Sequence, residues 1–370
     1  MKKAIKKILF SLIPTRNVII FESSPDFTDN TYWLFKYIVG NNLFENYKFV
    51  WFVWDKNKLK NSLCGVPIKS IFSGPTTSLF KRLERSFYMH SAKIIIDSNR
   101  MVYKVSENQL RVYLGHGMPI KLAKEYCRYI NKCDLLTTLG NGFKDFFAEF
   151  VDEDAIRPVG YPRNEILIDS TPDTDKFIFW MPTYRQHRGA ETMRIENMFP
   201  LGIPAIKTEA ELLQLEKVLE NNNIKLLLRP HPAQDLSFFN ISQMKNIIIA
   251  NDEYLSSINC ALYELISKSS ALITDYSSVY YDYLLTKRPI GLTLEDHITF
   301  SKQFGLFFDN LRDELPGYLI DTAEELFDFV KSIAEEQDEY LEKREAFREK
   351  MGIEPLPSCK LITDFIKEKF

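Results

Sequence analysis

Residues 271–283 read ALITDYSSVYYDY: an apolar run that ends at Thr274, a polar break, and an aromatic stretch with helical spacing. That is the pattern of a buried strand whose carboxyl end opens into a loop and then a helix. Working outward, the same rhythm recurs. KFIFWM at 176–181, IKLLL at 224–228 and NIIIA at 246–250 read as strands, with helical stretches at 208–221, at 260–268 and from 277. Upstream, NVIIFE (17–22), KFVWFVW (48–54), KIIID (93–97), LRVYL (110–114) and DLLTT (134–138) form a second series. Short apolar strands alternating with amphipathic helices imply βαβ units and parallel sheets. Between the two series lies DSTPDTD at 169–175, rich in turn formers. The expected organisation is therefore an N-terminal α/β domain over 17–170, a C-terminal one over 171–355 and a closing helix at 356–370. Long helical patterns are expected at 322–350 and 359–369.

A chain of 370 residues suits two such domains, and 45% hydrophobic with 26% charged residues is ordinary globular composition. The net charge of −3 speaks against nucleic acid as a partner. The 5 cysteines, at 64, 127, 133, 260 and 359, form no CxxC pair, which suits a reduced compartment. No apolar run approaches the roughly 20 residues of a membrane-spanning helix. Residues 1–16 differ from the rest: Lys2, Lys3, Lys6, Lys7 and Arg16 occur without an acid and interleave with Ile5, Ile8, Leu9, Leu12 and Ile13. This is the pattern of a helix lying on an anionic membrane surface, and equally that of a frayed terminus.

Ligands of parallel sheets gather beyond the carboxyl ends of the strands, so the polar residues there carry the functional reading. In TDYSS, Ser277 or Ser278 is placed to cap a helix whose N-terminus could seat a phosphate, with Asp282 one turn on and within reach of ribose hydroxyls. The same pattern suits an ordinary capped helix, and Asp275 reads as a brace for the loop. RPHP at 229–232 fixes Arg229 and His231 with two φ-locked prolines, a rigid cationic pair for a diphosphate or simply a strand end with a surface histidine. GHGMPIK at 115–121 sets His116 between two glycines, where an imidazole could act as general base or only turn the chain. Lys121, Lys124, Arg128 and Lys132 would share one face of a following helix, facing anionic groups or solvent. GYPRNE (160–165) and MPTYR (181–185) add Arg163 and Arg185 as candidate acceptor or phosphate contacts, along with Gly117 and Lys121. No Walker A or GxGxxG sequence follows a strand, and the histidines at 90, 116, 187, 231 and 297 lack metal-ligand spacing.

In this order, GHGMPIK, GYPRNE, MPTYR, RPHP, ITDYSSVYYDY (273–283) and FGLFFDNLRDELPG (304–317) resemble the CDP-glycerol glycerophosphotransferase family of teichoic acid and capsule enzymes. The resemblance spans roughly residues 110–320. It implies an α/β, GT-B-like fold in which two Rossmann-like domains with parallel sheets face each other across a cleft, with the nucleotide on the C-terminal domain. His116 matches the family's acceptor-activating histidine, His231 with Arg229 the pair at the donor phosphates, and Ser277 and Ser278 its phosphate-binding serines. Asp282 matches the acidic position after them. Two positions depart from the family pattern: Met118 stands where Thr is common, and Gln186 where Asp is common.

The implied reaction is transfer of glycerol phosphate, or a related polyol phosphate, from a CDP-alditol to a hydroxyl of a lipid-linked acceptor, with release of CMP. His116 and His231 are the implied catalytic residues. No metal or other cofactor is expected, and the implied setting is the cytoplasmic face of a bacterial membrane. Two other readings remain open on the sequence: a GT-B glycosyltransferase using a CMP- or UDP-sugar, and a non-catalytic nucleotide-binding membrane scaffold.

Overall fold

The fold is given by a computed structural model that describes residues 13–99, 102–122, 124–127, 130, 132–183, 199–230, 241 and 244–370, with residues 125 and 126 described by backbone alone. The chain divides into two compact units. The first comprises residues 1–118, 124–165 and 351–370, and the second residues 119–123 and 166–350.

Chain order in the first unit runs β1 (Arg16–Glu22), β2 (Lys48–Val53), a small antiparallel pair β3 (Ser62–Leu63) and β4 (Val66–Pro67), β5 (Lys69–Phe72), β6 (Ala92–Asp97), β7 (Leu110–Tyr113), β8 (Leu135–Thr137) and β9 (Ile156–Arg157). Seven of these form one sheet in the order β5-β2-β1-β6-β7-β8-β9, parallel throughout. The direction of winding reverses between β1 and β6, the topological switch point of a doubly wound sheet. Strand side chains alternate between the two faces. On one face Ile19, Phe21, Ile94 and Ile96 pack with Leu34, Phe35 and Ile38 of helix Asp29–Gly40 and with Ile362 and Ile366 of helix Ser358–Glu368. On the other, Val18, Ile20 and Ile95 pack with Tyr88 and Met89 of helix Leu79–Ser91. Burial on both faces explains why these strands read as unbroken apolar runs.

The second unit repeats the plan with β10 (Phe177–Trp180), β11 (Lys225–Leu228), β12 (Ile247–Ile249), β13 (Ala271–Thr274), β14 (Ile290–Leu292) and β15 (Tyr318–Leu319). Its order, β12-β11-β10-β13-β14-β15, is parallel throughout and switches between β10 and β13. Helix Glu209–Asn221 starts on a capping box between Thr208 and Glu211, and helix Ala323–Ala334 on another between Thr322 and Glu325. Both helices pack on the face carrying Ile178, Trp180, Leu226 and Ile273.

Several expectations change. The units part at residues 165 and 166, a few residues before the expected boundary, and the closing helix belongs to the first unit. Helicity is not continuous over 322–350: Glu336 takes φ 57°, and the Gln337 amide donates to the Ser332 carbonyl at 2.9 Å, a left-handed stop before helix Leu341–Met351. The expected basic face over 121–132 also fails. Lys121 belongs to the second unit, Lys124 lies on the short helix Lys124–Cys127 and pairs with Glu149 at 2.7 Å, and Lys132 takes φ 59°. The left-handed Lys132 cannot extend a right-handed helix, so the expected spacing places these side chains on no common stripe. Arg128 and the amphipathic stretch of residues 1–12 lie outside the described residues.

Burial sorts the cysteines. Cys64 is exposed, whereas Cys133 and Cys359 are buried. Loss of hydration pushes the Cys133 thiol up to about 12 and Cys359 higher, with Glu165 adding to the rise at Cys359. Thiol alkylation near pH 8, followed by mass spectrometry, is therefore expected to label Cys64 first and to reach Cys133 and Cys359 only in denaturant.

Candidate functional site

In the first unit, the loop that follows β7 carries His116, which is exposed. Its base is fixed from three sides. Thr137 Oγ1 donates to the Leu114 carbonyl at 2.7 Å, and the buried Asn30 Nδ2 donates to the Gly115 carbonyl at 2.9 Å. Gly115 takes φ 64°, and a Cβ there would lie 3.0 Å from the hydroxyl of the fully buried Tyr161. Glycine thus meets both a backbone and a space requirement immediately before the imidazole. Gly117 is half-buried and Met118 is 2% exposed, so the position that departs from the family pattern is a core side chain.

GYPRNE turns out to be structural. Arg163 is 4% exposed and pairs with Asp29 at 2.5 Å, while its amide donates to Asn30 Oδ1. The guanidinium expected at an acceptor or phosphate is enclosed where helix Asp29–Gly40 begins, with Asp29 as its partner. Glu165 Oε1 accepts the Cys359 amide at 2.5 Å, holding the start of the C-terminal helix. Beside the switch point, Arg111 grips Asp97 through Nε at 3.1 Å and Nη2 at 2.8 Å, and neither side chain is exposed. A forked, buried pair of this kind holds the ends of β6 and β7 in one geometry.

In the second unit, Asp275 follows β13 and is fully buried. Its carboxylate accepts the Thr183 amide at 2.9 Å, the Thr183 hydroxyl at 2.5 Å and the Tyr276 amide at 2.6 Å. It is the brace that the sequence implied, and it ties the loop after β13 to the loop after β10 across the switch point. Ser277 and Ser278 are half-buried and enter the helix Val279–Tyr283. Ser278 sits in the right-handed helical region at φ −59°, ψ −15° and makes no capping bond. The expected side-chain cap is therefore absent at Ser278, because a capping hydroxyl requires extended backbone at that position.

Every residue of that short helix is buried. Tyr280 donates to the Pro316 carbonyl at 3.1 Å and Tyr281 to the Pro119 carbonyl at 3.0 Å, while Tyr283 meets Ser269 Oγ at 2.9 Å. Burial raises the pKa of all three phenols, which keeps them protonated. Asp282 is 0% exposed and accepts the Tyr263 hydroxyl at 2.5 Å, so the carboxylate expected at the ribose is enclosed in the fold. Arg229 follows β11, and its guanidinium donates to the Ala250 carbonyl at 2.7 Å and to Asp252 at 2.6 Å. Asp252 is an exposed partner that an incoming phosphate could replace. His231 and Arg185 lie outside the described residues.

One association has no signal in the sequence. Lys121 forms an antiparallel bridge with Leu306, the Phe307 amide donates to the Ile120 carbonyl at 2.7 Å, and the Leu122 amide donates to Gly305. The segment Ile120 to Leu122 and the start of FGLFFDN are thus joined within the second unit, through backbone bonds that no residue type announces. Among the described residues, no cluster of three or more His, Cys, Asp or Glu side chains could hold a metal ion.

The two switch-point sheets define an α/β fold of the GT-B-like class, and similarity to known proteins places it. A family model described as CDP-Glycerol:Poly(glycerophosphate) glycerophosphotransferase matches residues 5–352, and the chain belongs to that family. A teichoic acid poly(glycerol phosphate) polymerase of Staphylococcus epidermidis is 26% identical over 89% of this chain, and this chain spans 47% of that relative. A teichoic acid glycerol-phosphate transferase of Staphylococcus aureus is 24% identical over 92% of this chain and 90% of its own length. Thus the chain spans about half of the first relative and nearly all of the second. In structure, the wall teichoic acid polymerase TagF shares the fold at TM-score 0.74 and 23% identity, covering 98% of this chain and 92% of its own. A putative UDP-N-acetylglucosamine 2-epimerase from Listeria monocytogenes shares it at TM-score 0.54 and 11% identity, covering 95% and 96%.

Gly115→Ala tests the fixed base of the His116 loop. An alanine at that φ is expected to destabilise the first unit by about 1–3 kcal/mol, read as an earlier transition in urea, while Gly117→Ala shifts it less.

Proposed function

We propose that this protein transfers glycerol phosphate, or a related polyol phosphate, from a CDP-alditol to a hydroxyl of a lipid-linked teichoic acid or capsule acceptor, releasing CMP. One observation carries the reading. In a member of this family, the GHG and DYSS motifs occupy loops at the carboxyl edges of doubly wound sheets, where such sheets bind ligands. A TagF variant of the same fold has been soaked with CDPG, which supports a CDP-alditol as donor here.

In the proposed step, His116 takes the proton of the acceptor hydroxyl as its oxygen attacks the phosphorus that carries the polyol. The bond from that phosphorus to the bridging oxygen breaks, and CMP leaves with the electron pair. Arg229, His231, Ser277 and Ser278 hold the diphosphate and offset the charge that builds on CMP. Catalysis of this kind rests on positioning and electrostatics. Arg229 exchanges Asp252 for a phosphoryl oxygen in this scheme. We assign Asp282 to the support of the serine loop through Tyr263, with any contact to ribose requiring that bond to open. No metal or other cofactor has a role in the scheme.

The setting we propose is peripheral, at the cytoplasmic face of a bacterial membrane. Support comes from the basic amphipathic pattern of residues 1–16. Among the described residues no helix is long and apolar enough to cross a membrane.

The deciding experiment measures CMP release with CDP-glycerol and CDP-ribitol over membranes bearing acceptor. His116→Ala is expected to lower turnover by about 10²–10⁴-fold with donor affinity kept, and Arg229→Ala to weaken donor binding. Turnover driven instead by CMP- or UDP-sugars would support a glycosyltransferase, and CMP or CDP binding without any turnover would support a scaffold.

A further inference from the structure

Apart from His116, the carboxyl edge of the first sheet carries an open cavity of about 360 Å³, lined by Ser24, Pro25, Asp26, Trp54, Asp55, Lys58 and Pro75. These residues come from the loops after β1, β2 and β5, the other side of the switch point from β6 and β7. Taking the transfer reading above as its basis, we propose that this cavity is an acceptor subsite for a neutral sugar ring bearing a phosphate.

The lining specifies that chemistry. Two carboxylates, Asp26 and Asp55, accept hydrogen bonds from sugar hydroxyls. Trp54 and two prolines supply the apolar part of the lining, and pockets of this size commonly combine such residues with a few placed polar groups. Lys58 is exposed and supplies one cation, enough for one phosphate beside the ring.

The site is also held in shape before any ligand arrives. Asp26 is 8% exposed, and its carboxylate accepts the Trp54 amide at 2.9 Å and the Asp55 amide at 2.7 Å, locking the loop after β2 against the loop after β1. Trp54 Nε1 donates to the buried Glu22 at 3.2 Å, and the Arg85 guanidinium lies 5.9 Å from its ring centre, so the indole plane is fixed. Preorganisation of this kind reduces the entropy lost on binding.

Geometry links the cavity to the reaction. His116 follows β7, and passing along the edge to β2 crosses β6 and β1, three strand spacings or about 15 Å. That is far enough for the cavity to read a sugar set back from the reacting hydroxyl and near enough for one acceptor to occupy both. Between them, directly after β6, Ser98 is fully buried with a hydroxyl that has no hydrogen-bond partner among the described residues.

Saturation-transfer NMR on the full chain, without donor, tests this independently of turnover. The probes are glucose 1-phosphate, N-acetylglucosamine 1-phosphate, glucose, glycerol 3-phosphate and inorganic phosphate. At least one sugar phosphate is expected to bind saturably, with the strongest transfer to ring C–H protons and at least tenfold more tightly than glycerol 3-phosphate. Asp55→Asn, which keeps a side-chain oxygen for the local turn, is expected to weaken that binding at least tenfold, and Lys58→Ala to reduce the sugar phosphate to the affinity of free glucose. The proposal is overturned if neither sugar phosphate binds, if inorganic phosphate binds as tightly, or if both variants leave binding unchanged. Should the His116→Ala result hold while sugar binding is absent, the subsite fails and the transferase reading stands.

Discussion

A parallel strand pair cannot be closed by a tight turn; each strand must be followed by a crossover that returns over a face of the sheet. All the chemically suggestive loops of this chain follow from that constraint. In both units the crossovers bury the strands on two faces, so polar side chains are driven out of the sheet and collect at its ends. At the carboxyl edges the chain keeps Glu22, Asp97, Thr274 and Asp275 fully buried. Such groups persist only when paired, and here they are. Trp54 bonds Glu22, Arg111 forks onto Asp97, the Thr274 hydroxyl donates to the Met181 carbonyl, and Thr183 binds Asp275. These pairs give the loops their shape, and the loops in turn set out His116 in one unit and the serine turn in the other.

The same economy separates the motifs that resemble the family into two kinds. GHG and Arg229 keep polar groups at loop positions that a ligand could reach. GYPRNE and the tyrosine run do something else. Arg163, Glu165 and Tyr161 join the start of helix Asp29–Gly40, the start of the C-terminal helix and the turn at Gly115, while Tyr280 and Tyr281 reach backbone carbonyls of separate segments. An arginine or an aspartate in such a motif looks catalytic in one dimension. Burial and a partner on another segment give it a part in holding the fold.

Much of the fold was readable because strands of this kind are local. The nine apolar runs of the sequence coincide with strands β1, β2, β6, β7, β8, β10, β11, β12 and β13 to within a residue or two at each end. Those that escaped are short or lie toward the sheet edges: β5 (KSIF) mixes polar and apolar residues, β9 and β15 have two residues each, and β14 is interrupted by Gly291. Gly291 looks like a strand breaker, yet it lets Ile320 pack closely, since a Cβ there would meet Ile320 Cδ1 at 2.5 Å unless that side chain moved. The basic stripe over 121–132 was misread for the opposite reason. Its spacing is helical, but Pro119–Ala123 leaves to pair with the chain around Leu306, and a long-range backbone ladder overrides a local propensity.

From the sequence alone came the α/β class, the two-unit plan, the positions of the central strands and the list of polar residues following them. Each is decided by neighbours a few residues away, through side-chain period, turn formers and the exclusion of charge from buried strands. Tertiary structure alone decided which of those residues are enclosed, where the C-terminal helix returns, how Pro119 to Leu122 finds the segment around Leu306, and that a tryptophan and two aspartates share one cavity. These depend on contacts between segments distant in the chain, whose energies come from mutual burial and pairing, and no window of sequence contains both partners.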